Sequence, residues 1–425
     1  MMKVFKFGGA SVKDADGVKN LLKVIKLYPK SKLTVVISAM GKMTNAFENL
    51  LEARMSGRDY EAEFSKIEEF HSNIAADLKA ESPNIKLERF YEYLTEIQTL
   101  LRQAPTESYD FEYDQLVSYG ELISTSLVEA YLKAAGVNSE WLDIRHVIRT
   151  NSKHREAVVD WKQSEIQVSV LKEHLNSTGT EVLITQGFIA ADKRGKTTTL
   201  GREGSDYTAA ILAYLLDAED LTIWKDVPGM LNADPKWFKN TVKLDQISFR
   251  EAIELSYYGA SVIHPKTIQP IQNKGIPLYV KSFLNPTDPG TVIQKSDEND
   301  ALVPSYIFKP QQWLVTVSSR DFSFIVEEHL TEIFDVLNTI GMKINLMQNS
   351  AISFSFCVDA DQRKLDLFLE ALQEKYSIRY NTDLQLMTVR HYNENIVKQL
   401  QAGKEVLLEQ RSRSTLRMIL RVNSK

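Results

Sequence analysis

Residues 186–212 constrain the fold of this chain more than any other stretch. A strand over residues 181–185 leads into them, and an amphipathic helix over residues 205–216 follows. The segment between contains a run of threonines, an arginine, and two glycines that allow the backbone to approach a ligand. Ser205 or Asp206 is predicted to cap the helix, whose N-terminus favours negative charge. The stretch is typical of an anion-binding turn in an α/β protein, although a well-capped strand-to-helix turn without a ligand has the same pattern.

Two other predicted strands end in similar residues. The strand over residues 3–7 is followed by a glycine pair that begins at Gly8, and the apolar strand over residues 33–39 contains Ser38 near its end. Such apolar runs indicate strands of a buried parallel sheet, and ligands bind beyond the carboxyl ends of these strands. Together with the turn described above, the strand ends predict one ligand site. Lys6 is predicted either to reach a phosphoryl group there or to be an edge-strand lysine that discourages aggregation.

The composition excludes several classes of protein. Of the 425 residues, 43% are hydrophobic, which is ordinary for a globular protein. The net charge is −5, so there is no basic excess to neutralise nucleic-acid phosphates. No apolar run approaches the ~18 residues of a membrane span, and the N-terminus has no signal-peptide pattern. The single cysteine, Cys357, excludes an internal disulfide and indicates a reducing compartment. We therefore predict a cytoplasmic protein with no nucleic-acid partner, no membrane partner and no protein metal site; any metal is Mg²⁺ arriving with a phosphate ligand.

The length of the chain predicts two or three domains. Residues 46–112 have the spacing of a helical hairpin inserted over a site or an interface, and residues 113–135 are predicted to form a single helix. The charged run at residues 296–300 predicts a domain boundary. Beyond it, residues 313–422 are predicted to repeat a small β-α-β-β unit twice, with the second copy truncated. These units have no catalytic pattern and are interpreted as small-ligand or dimerisation modules.

Several motifs, in their order along the chain, closely resemble those of the aspartokinases. They are Lys6-Phe7-Gly8-Gly9-Ala10-Ser11, Ser38 with Thr44-Asn45, Gly120-Glu121, Thr185-Gln186-Gly187-Phe188, the run from Thr197 through Gly201-Arg202-Glu203-Gly204-Ser205-Asp206-Tyr207-Thr208-Ala209-Ala210, Asp226-Val227-Pro228-Gly229, Asp234-Pro235, and Gly259-Ala260 with His264-Pro265. The long central run is highly specific, and the resemblance covers essentially the whole chain. It implies an α/β fold with an amino-acid-kinase αβα sandwich as catalytic domain over residues 1–295, including the helical insertion at about 46–112. It also implies two small ferredoxin-like α+β regulatory units, the ACT domains, over residues 306–378 and, truncated, 379–425.

The resemblance implies phosphorylation of L-aspartate by ATP with Mg²⁺, giving 4-phospho-L-aspartate and ADP. This reaction opens the route to lysine, threonine, methionine and isoleucine. The side-chain carboxylate of the substrate, with a pKa of about 3.9, is already ionised at neutral pH, so that no general base is required. Phosphoryl transfer then depends mostly on positioning and charge stabilisation. A homodimer, or a dimer of dimers, assembled through the ACT domains is also implied.

By matched position, the resemblance implies that Lys6 neutralises charge on the transferring phosphoryl group and that Asp206 organises the cationic groups. Arg202 is expected to bind the α-carboxylate of aspartate, and Glu121 its ammonium group. The other implied substrate-binding residues are Ser38, Thr44, Gly204 and Ser205. The implied nucleotide-binding residues are Lys6, Gly8, Gly9, Ser11, Lys225, Asp226, Leu231, Lys236 and Ser261.

Five positions depart from the family pattern. Threonines are replaced by Ala10 and Lys225, an aromatic residue by Leu231, an arginine by Lys236 and a lysine by Ser261. The changes on the nucleotide side predict altered affinity for ATP, unless the ammonium group of Lys225 replaces the charge missing at Ser261. The substrate side keeps the family residues.

A feedback effector is expected to bind in the first ACT unit. The implied effector-binding residues are Asn345, Gln348, Asn349 and Ser350. Lysine-sensitive members have an acidic pair where this chain has Asn345 and Ala351, and a lysine ammonium group without a carboxylate partner binds weakly. Gln348 and Asn349 suit a neutral effector such as threonine better than lysine, although polar residues that only satisfy backbone groups at a strand end would give the same pattern.

Two other functions stay open at this point. One is a carboxylate kinase of the same fold that acts on glutamate, because Arg202 and Glu121 recognise any α-amino acid. The other is a catalytically silent amino-acid sensor, which the departures on the nucleotide side motivate. The presence of Lys6 opposes the sensor, since binding an amino acid without turnover has no use for it.

Overall fold

The computed structural model describes residues 2–105, 108–260, 263–321 and 323–422. The chain divides into two compact units. The first unit consists of Met1–Met230, Lys243–Ile253 and Val262–Asp297, and the second of Leu231–Val242, Glu254–Ser261 and Glu298–Lys425. None of the helices in the described ranges is long and apolar enough to cross a membrane.

The first unit is built on a large, mostly parallel sheet. The strands of this unit are β1 (Met2–Phe7), β2 (Lys32–Ile37), β3 (Ser139–Leu142), β4 (Arg149–Thr150), β5 (Val182–Gln186), β6 (Ile189–Asp192), β7 (Thr197–Thr199), β8 (Asp220–Lys225), β9 (Gln246–Ser248), β10 (Leu278–Ser282) and β11 (Thr291–Gln294). Eight of them form a sheet in the order β3-β5-β2-β1-β8-β10-β11-β9, in which β10 and β11 are the antiparallel neighbours. The remaining strands, β4, β6 and β7, form a small separate sheet.

The helices of this part of the chain connect the parallel strands. They are α1 (Ala15–Lys26), α2 (Met43–Met55), α3 (Glu61–Glu81), α4 (Glu88–Arg102), α5 (Tyr109–Val117), α6 (Tyr119–Ala134), α7 (Trp161–Thr178), α8 (Gly204–Leu215), α9 (Phe249–Tyr258) and α10 (Pro265–Lys274). The single helix predicted over residues 113–135 is wrong, because α5 ends and α6 begins around Ser118. The hydroxyl of Ser118 donates to the carbonyl of Gln115 at 3.1 Å, a local bond of the kind that competes with the regular helical pattern.

The register of the sheet brings four strand ends to the same level. Phe7, the last residue of β1, is paired with Ile37 of β2 and with Trp224 of β8, and Ile37 is paired with Gln186 of β5. The side chains of Phe7 and Trp224 stack in the core at 6.0 Å. The residues that follow these strands therefore lie along one edge of the sheet, as the sequence predicted for a parallel arrangement.

The second unit is built on one antiparallel sheet. Its strands are β12 (Ser305–Ser319), β13 (Ile344–Asn349), β14 (Ser353–Asp359), β15 (Tyr376–Arg390), β16 (Lys404–Arg411) and β17 (Thr415–Val422), and its helices are α11 (Glu327–Thr339), α12 (Gln362–Leu372) and α13 (Glu394–Gln401). The strand order is β13-β14-β12-β15-β17-β16. The order from β12 to β15 along the chain is the β-α-β-β-α-β order of a ferredoxin-like unit. The predicted fold classes, α/β followed by small α+β units, are confirmed.

The two α+β modules share strands, which the sequence did not indicate. Strands β12 and β15 are each 15 residues long and pair with each other along most of their length. One hydrophobic core lies under α11 and α12 and includes Phe356 and Phe368. A second core includes Val389 of β15 and Val397 of α13. Because the long strands pass through both cores, the two modules form one continuous sheet.

Candidate active site

A cavity of about 850 Å³ lies at the edge where the parallel strands end. Its lining includes Lys6 at the end of β1, Ser38 after β2, and Thr44 in the first turn of α2. The first turn of α8 supplies Gly204, Ser205 and Asp206, and the preceding loop supplies Arg202. The structure thus brings the predicted catalytic pair and all the predicted substrate-binding residues, including Glu121 of α6, around one cavity.

A buried carboxylate between two lysines forms the floor of the site. Lys6 Nζ lies 2.6 Å from Asp206 Oδ1, and Lys225 Nζ lies 3.7 Å from Asp206 Oδ2. Asp206 is 1% exposed and Lys6 is 8% exposed. Burial alone raises the pKa of Asp206, but the ammonium groups of Lys6 and Lys225 outweigh it, so that the pKa lies below its usual value. Asp206 is therefore anionic at neutral pH and holds the two ammonium groups in place; it is a poor proton acceptor.

The start of α8 differs from the predicted cap. Neither Ser205 nor Asp206 caps the helix: both lie in its first turn, and the capping position is Glu203, which has a left-handed φ of 56° and makes no side-chain cap bond. A Cβ atom on Gly187 would come within 2.4 Å of the Cβ of Ser205. Glycine at 187 is therefore needed for α8 to approach the end of β5, and this approach places Asp206 beside Lys6.

The glycine pair after β1 also meets another backbone segment closely. A Cβ atom on Gly9 would lie 2.6 Å from the carbonyl oxygen of Ala39 and 2.7 Å from that of Gly41. The amide of Gly41 donates to the carbonyl of Gly9 at 3.0 Å. Gly8 lies next to the ammonium group of Lys6, because a Cβ atom built there would be 3.4 Å from its Nζ. The pair thus joins the loops after β1 and β2 beside the lysine.

Glu121 is a second buried carboxylate of the cavity. It is 2% exposed, and its Oε1 accepts a 3.3 Å hydrogen bond from the amide of Ala39. Its Oε2 is buried and has no hydrogen-bond partner among the described residues. Burial raises the pKa of Glu121 to about 8. A buried carboxylate oxygen without a partner is costly, and a bound cation in the cavity would compensate that cost.

The structure places the predicted nucleotide-binding residues in several different surroundings. Lys225 contacts Asp206 in the site, and Gly8 and Gly9 adjoin Lys6 as described above. Ser11 is buried in the short 3₁₀ turn Gly9–Val12, and Asp226 is exposed directly after β8. Leu231 and Lys236 belong to the second unit, where Lys236 Nζ lies 5.2 Å from the ring of Trp237. Ser261 lies outside the described residues.

The predicted effector-binding residues lie on the edge strand β13 and the turn after it. The side-chain amide of Asn345 donates to Gln312 Oε1 at 2.8 Å and to Asp359 Oδ1 at 2.9 Å, and its oxygen accepts from Lys309 Nζ at 2.9 Å. All the hydrogen-bonding capacity of its nitrogen is thereby used. The exposed residues of this group are Gln348, Asn349 and Ser350. The structure therefore places the last three together, while Asn345 belongs to an internal polar network.

Residues 153–156 also line the cavity, which was not predicted from the sequence. They follow β4, and the structure places Lys153, His154, Arg155 and Glu156 at the rim of the cavity. Their position depends on hydrogen bonds to Asp114 of α5, which is distant in the sequence. The local signal that could have indicated this position is the run of three basic residues, Lys153, His154 and Arg155.

Comparison with known proteins identifies the class of this protein and then the group within it. A model described as the amino acid kinase family matches residues 1–282. The chain is 34% identical over 358 residues to lysine-sensitive aspartokinase 3 of Escherichia coli, covering 84% of this chain and 78% of that protein. It is 30% identical over 389 residues to the chloroplastic aspartokinase 1 of Arabidopsis thaliana, covering 87% and 67% of the two chains.

Solved structures give the same result. The crystal structure of E. coli aspartokinase III in complex with lysine and aspartate has a TM-score of 0.83 at 28% identity and covers 98% of this chain and 95% of that one. The structure of the same enzyme in complex with aspartate and ADP has a TM-score of 0.78 and covers 99% and 96% of the two chains. The chain therefore belongs to the amino acid kinase family and, within it, to the aspartokinases. The resemblance that the motifs indicated is confirmed.

Proposed function

We propose that the cavity transfers the terminal phosphoryl group of ATP to the side-chain carboxylate of L-aspartate, giving 4-phospho-L-aspartate and ADP. The observation that carries this proposal is the buried pair of Lys6 and Asp206, which share one cavity with the unpartnered oxygen of Glu121; Lys225 contacts the other oxygen of Asp206. The E. coli aspartokinase III structures contain aspartate and ADP, which supports the choice of substrate and nucleotide.

Four charged residues of the cavity then have roles that follow from their charge. Lys6 stabilises the negative charge of the phosphoryl group during transfer, and Asp206, anionic and buried, fixes the orientation of that ammonium group. Glu121 binds the ammonium group of aspartate, and Arg202 binds its α-carboxylate as a charge-assisted pair. Ser38, Thr44, Gly204 and Ser205 complete the substrate pocket. The attacking carboxylate is ionised at neutral pH, so that no protein base is needed.

The proposed nucleotide-binding part of the site is formed by the loops around Lys6. The backbone amides of Gly8 and Gly9, with Ser11, bind phosphate oxygens, and Lys225 and Asp226 contribute from the end of β8. Leu231, Lys236 and Ser261 are assigned to the nucleotide by resemblance. Lys225, whose ammonium group lies 3.7 Å from Asp206 Oδ2, is proposed to supply the charge that a lysine at position 261 would have given.

Magnesium fits this site as a partner of ATP. No group of three histidine, cysteine, aspartate or glutamate side chains in the described ranges is arranged to hold a metal ion. The oxygens of Asp206 face ammonium groups, which makes this carboxylate a poor metal ligand. Mg²⁺ commonly binds through phosphate oxygens and retains several waters, so that ATP itself would carry it into the cavity and neutralise phosphate charge there.

We propose the domain organisation and the feedback regulation that the resemblance to the aspartokinases implies. The catalytic domain spans residues 1–295, the first ACT domain 306–378 and the second, truncated unit 379–425. An amino acid, lysine or threonine, binds near Gln348–Ser350 as feedback effector; the E. coli relative is named for its sensitivity to lysine, whereas the uncharged Asn345 favours threonine. The protein acts in the cytoplasm, at the start of lysine, threonine and methionine synthesis, as a homodimer or a dimer of dimers through the ACT domains.

Hydroxylamine trapping tests the proposed reaction. An acyl phosphate formed with ATP reacts with hydroxylamine to give a hydroxamate, which is detected as its coloured complex with Fe³⁺. We expect a signal with L-aspartate and none with L-glutamate or N-acetyl-L-glutamate, and the addition of lysine or threonine identifies the effector by suppressing it. A signal with glutamate alone would reassign the substrate. No signal with any acid, from folded protein that binds lysine or threonine, would favour the silent sensor.

A further inference from the structure

Two buried carboxylates hold the segment of residues 151–156, between β4 and α7, in place through hydrogen bonds. Asp114 of α5 and Asp192 of β6 are both 0% exposed. Asp114 accepts hydrogen bonds from His154 Nδ1 at 2.8 Å and from the amide of Arg155 at 3.1 Å. Asp192 accepts from the hydroxyl of Ser152 at 2.8 Å. A loop anchored in this way keeps a defined position, although its own side chains are mostly at the surface.

The same carboxylate ties the loop to the small sheet. Asp114 also accepts from the amide and the hydroxyl of Thr199 at 3.1 and 2.7 Å. Thr199 is the last residue of β7, directly before the stretch that contains Arg202. The loop, the end of β7 and helix α5 therefore form one hydrogen-bonded group at the rim of the cavity.

Arg155 has an unusual backbone conformation within this group. Its φ is 65°, in the left-handed region that disfavours residues with a side chain. Residues held in such conformations are concentrated at functional sites, where the surroundings determine them. The guanidinium group lies over the ring of Tyr113 at 4.5 Å and pairs at 3.4 Å with Asp110, and both of these side chains are also part of the cavity lining.

Arg155 adjoins the residue that precedes Arg202. A Cβ atom on Gly201 would lie 3.1 Å from the carbonyl oxygen of Arg155. Both arginines line the cavity at its exposed rim, whereas Lys6 and Asp206 are buried at its floor. The two guanidinium groups therefore start from neighbouring backbone positions on the same side of the cavity.

We infer that Arg155 is a second substrate-binding residue, which clamps the α-carboxylate of the amino-acid substrate together with Arg202. The inference rests on the proposed function. The side-chain carboxylate of the substrate must reach the phosphoryl group at the buried floor, so its α-carboxylate faces the rim, where the two arginines are. The contact of Arg155 with Asp110 joins two half-exposed side chains, a type of pair that contributes little, so a substrate carboxylate can replace it.

Replacement by glycine is the sharpest test. Arg155→Gly removes the guanidinium group, and glycine adopts a positive φ without strain, so the variant should fold at least as well as the parent protein. We expect KM for L-aspartate to rise about 10- to 100-fold while kcat and KM for ATP stay nearly unchanged. The matched control is Arg58→Gly, which removes an exposed arginine shortly after α2, outside the cavity lining. It should leave all three constants unchanged.

A substrate analogue separates a clamp from a merely structural role. The α-amide of L-aspartate keeps the reacting carboxylate and the ammonium group but has no α-carboxylate. The parent protein should prefer L-aspartate over this amide. This preference, the ratio of the affinities for the two compounds, should fall in Arg155→Gly by about the same factor as the affinity for L-aspartate itself. Calorimetric titration of L-aspartate gives the same comparison without turnover.

Two results would overturn the inference. One is an unchanged KM for L-aspartate in Arg155→Gly. The other is an equal loss of activity toward L-aspartate and its α-amide, which would mean that Arg155 only supports the loop. A parent protein that does not phosphorylate L-aspartate at all would instead contradict the proposed function, and binding of L-aspartate by calorimetry would then still decide the role of Arg155.

Discussion

Lys6 and Lys3 lie on the same strand, and each has a carboxylate partner, but they occupy opposite ends of it. Lys6 pairs with Asp206 in the cavity, and Lys3 pairs with Asp220 at the other end of the sheet. Sequence reasoning left open whether Lys6 reaches a ligand or only protects a strand edge. Strand β1 lies between β2 and β8, so the edge-strand interpretation of Lys6 is wrong.

The two lysines give a matched pair of variants. Lys6→Ala should lower kcat by at least about 100-fold, because it removes a preorganised positive charge from the transferring phosphoryl group. Lys3→Ala should lower the melting temperature through its lost ion pair but leave kcat unchanged. Hydroxamate formation and thermal unfolding measure both effects. A Lys6→Ala enzyme with the kcat of the parent protein would show that its ammonium group has no part in the transfer.

If Glu121 binds the ammonium group of L-aspartate as proposed, substrate binding should depend on pH. Burial raises the pKa of this carboxyl group to about 8 from 4.5, so most of it is protonated at pH 7 and cannot pair with an ammonium ion. KM for L-aspartate should therefore fall as the pH rises, by about fivefold between pH 7 and 8. The Glu121→Gln variant should bind L-aspartate weakly and without this dependence. A parent protein whose KM is flat across this range would contradict the assignment.

The raised pKa of Glu121 also makes the stability of the fold depend on pH: stability should fall as the pH rises, whereas substrate binding should strengthen. The folded protein binds the proton of Glu121 more tightly than the unfolded chain does. Ionisation therefore costs the folded state more, and the free energy of unfolding should decrease as the pH rises from about 4.5 toward 8. Glutamine at this position should remove that contribution.

At the scale of elements, the sequence predicted the parts of the site that follow strands of the parallel sheet. The apolar runs of β1, β2 and β5 each end in small or hydroxylated residues, and parallel pairing brings those ends together. Sequence reasoning missed the hairpin of β6 and β7, because its strands are short and their residues, Ile-Ala-Ala-Asp and Thr-Thr-Thr, lack a clear alternation. It missed the loop at residues 151–156 because Asp114 and Asp192 position it from elsewhere in the chain.

The glycine pair after β1 should respond unequally to substitution. An alanine at Gly9 meets two backbone carbonyl oxygens, of Ala39 and Gly41, which cannot move without shifting the loop after β2. We expect Gly9→Ala to lower the free energy of unfolding by about 1–3 kcal/mol. Gly8→Ala meets only the flexible end of Lys6 and should change stability much less. Denaturant unfolding of both variants checks this, and equal midpoints would contradict the packing described for Gly9.

At the scale of the whole molecule, composition and motif order predicted the class of protein, and the order of strands and helices predicted both fold classes. The sharing of β12 and β15 by two modules was not predicted. A long antiparallel strand and two short ones have the same alternating pattern, and only the pairing partner along each half distinguishes them.

The two compact units should respond to different ligands. L-aspartate should slow amide hydrogen exchange mainly in residues 2–230, around the cavity, because a ligand stabilises the state that binds it. The effector, lysine or threonine, should slow exchange mainly in residues 305–390. Alanine serves as a control amino acid without effect. Protection of the same segments by aspartate and by the effector would contradict separate sites for the two.

The most direct test of the account follows the oxygen that attacks the phosphoryl group. L-Aspartate labelled with ¹⁸O in its side-chain carboxylate is incubated with ATP, Mg²⁺ and the protein. Hydroxylamine then attacks the acyl carbon of the product and releases inorganic phosphate together with the bridging oxygen. If that carboxylate is the nucleophile, the inorganic phosphate released should carry one labelled oxygen by mass spectrometry. Phosphate that is formed in equal amount but carries no label would mean that the carboxylate of aspartate does not attack ATP, and the proposed reaction would be wrong.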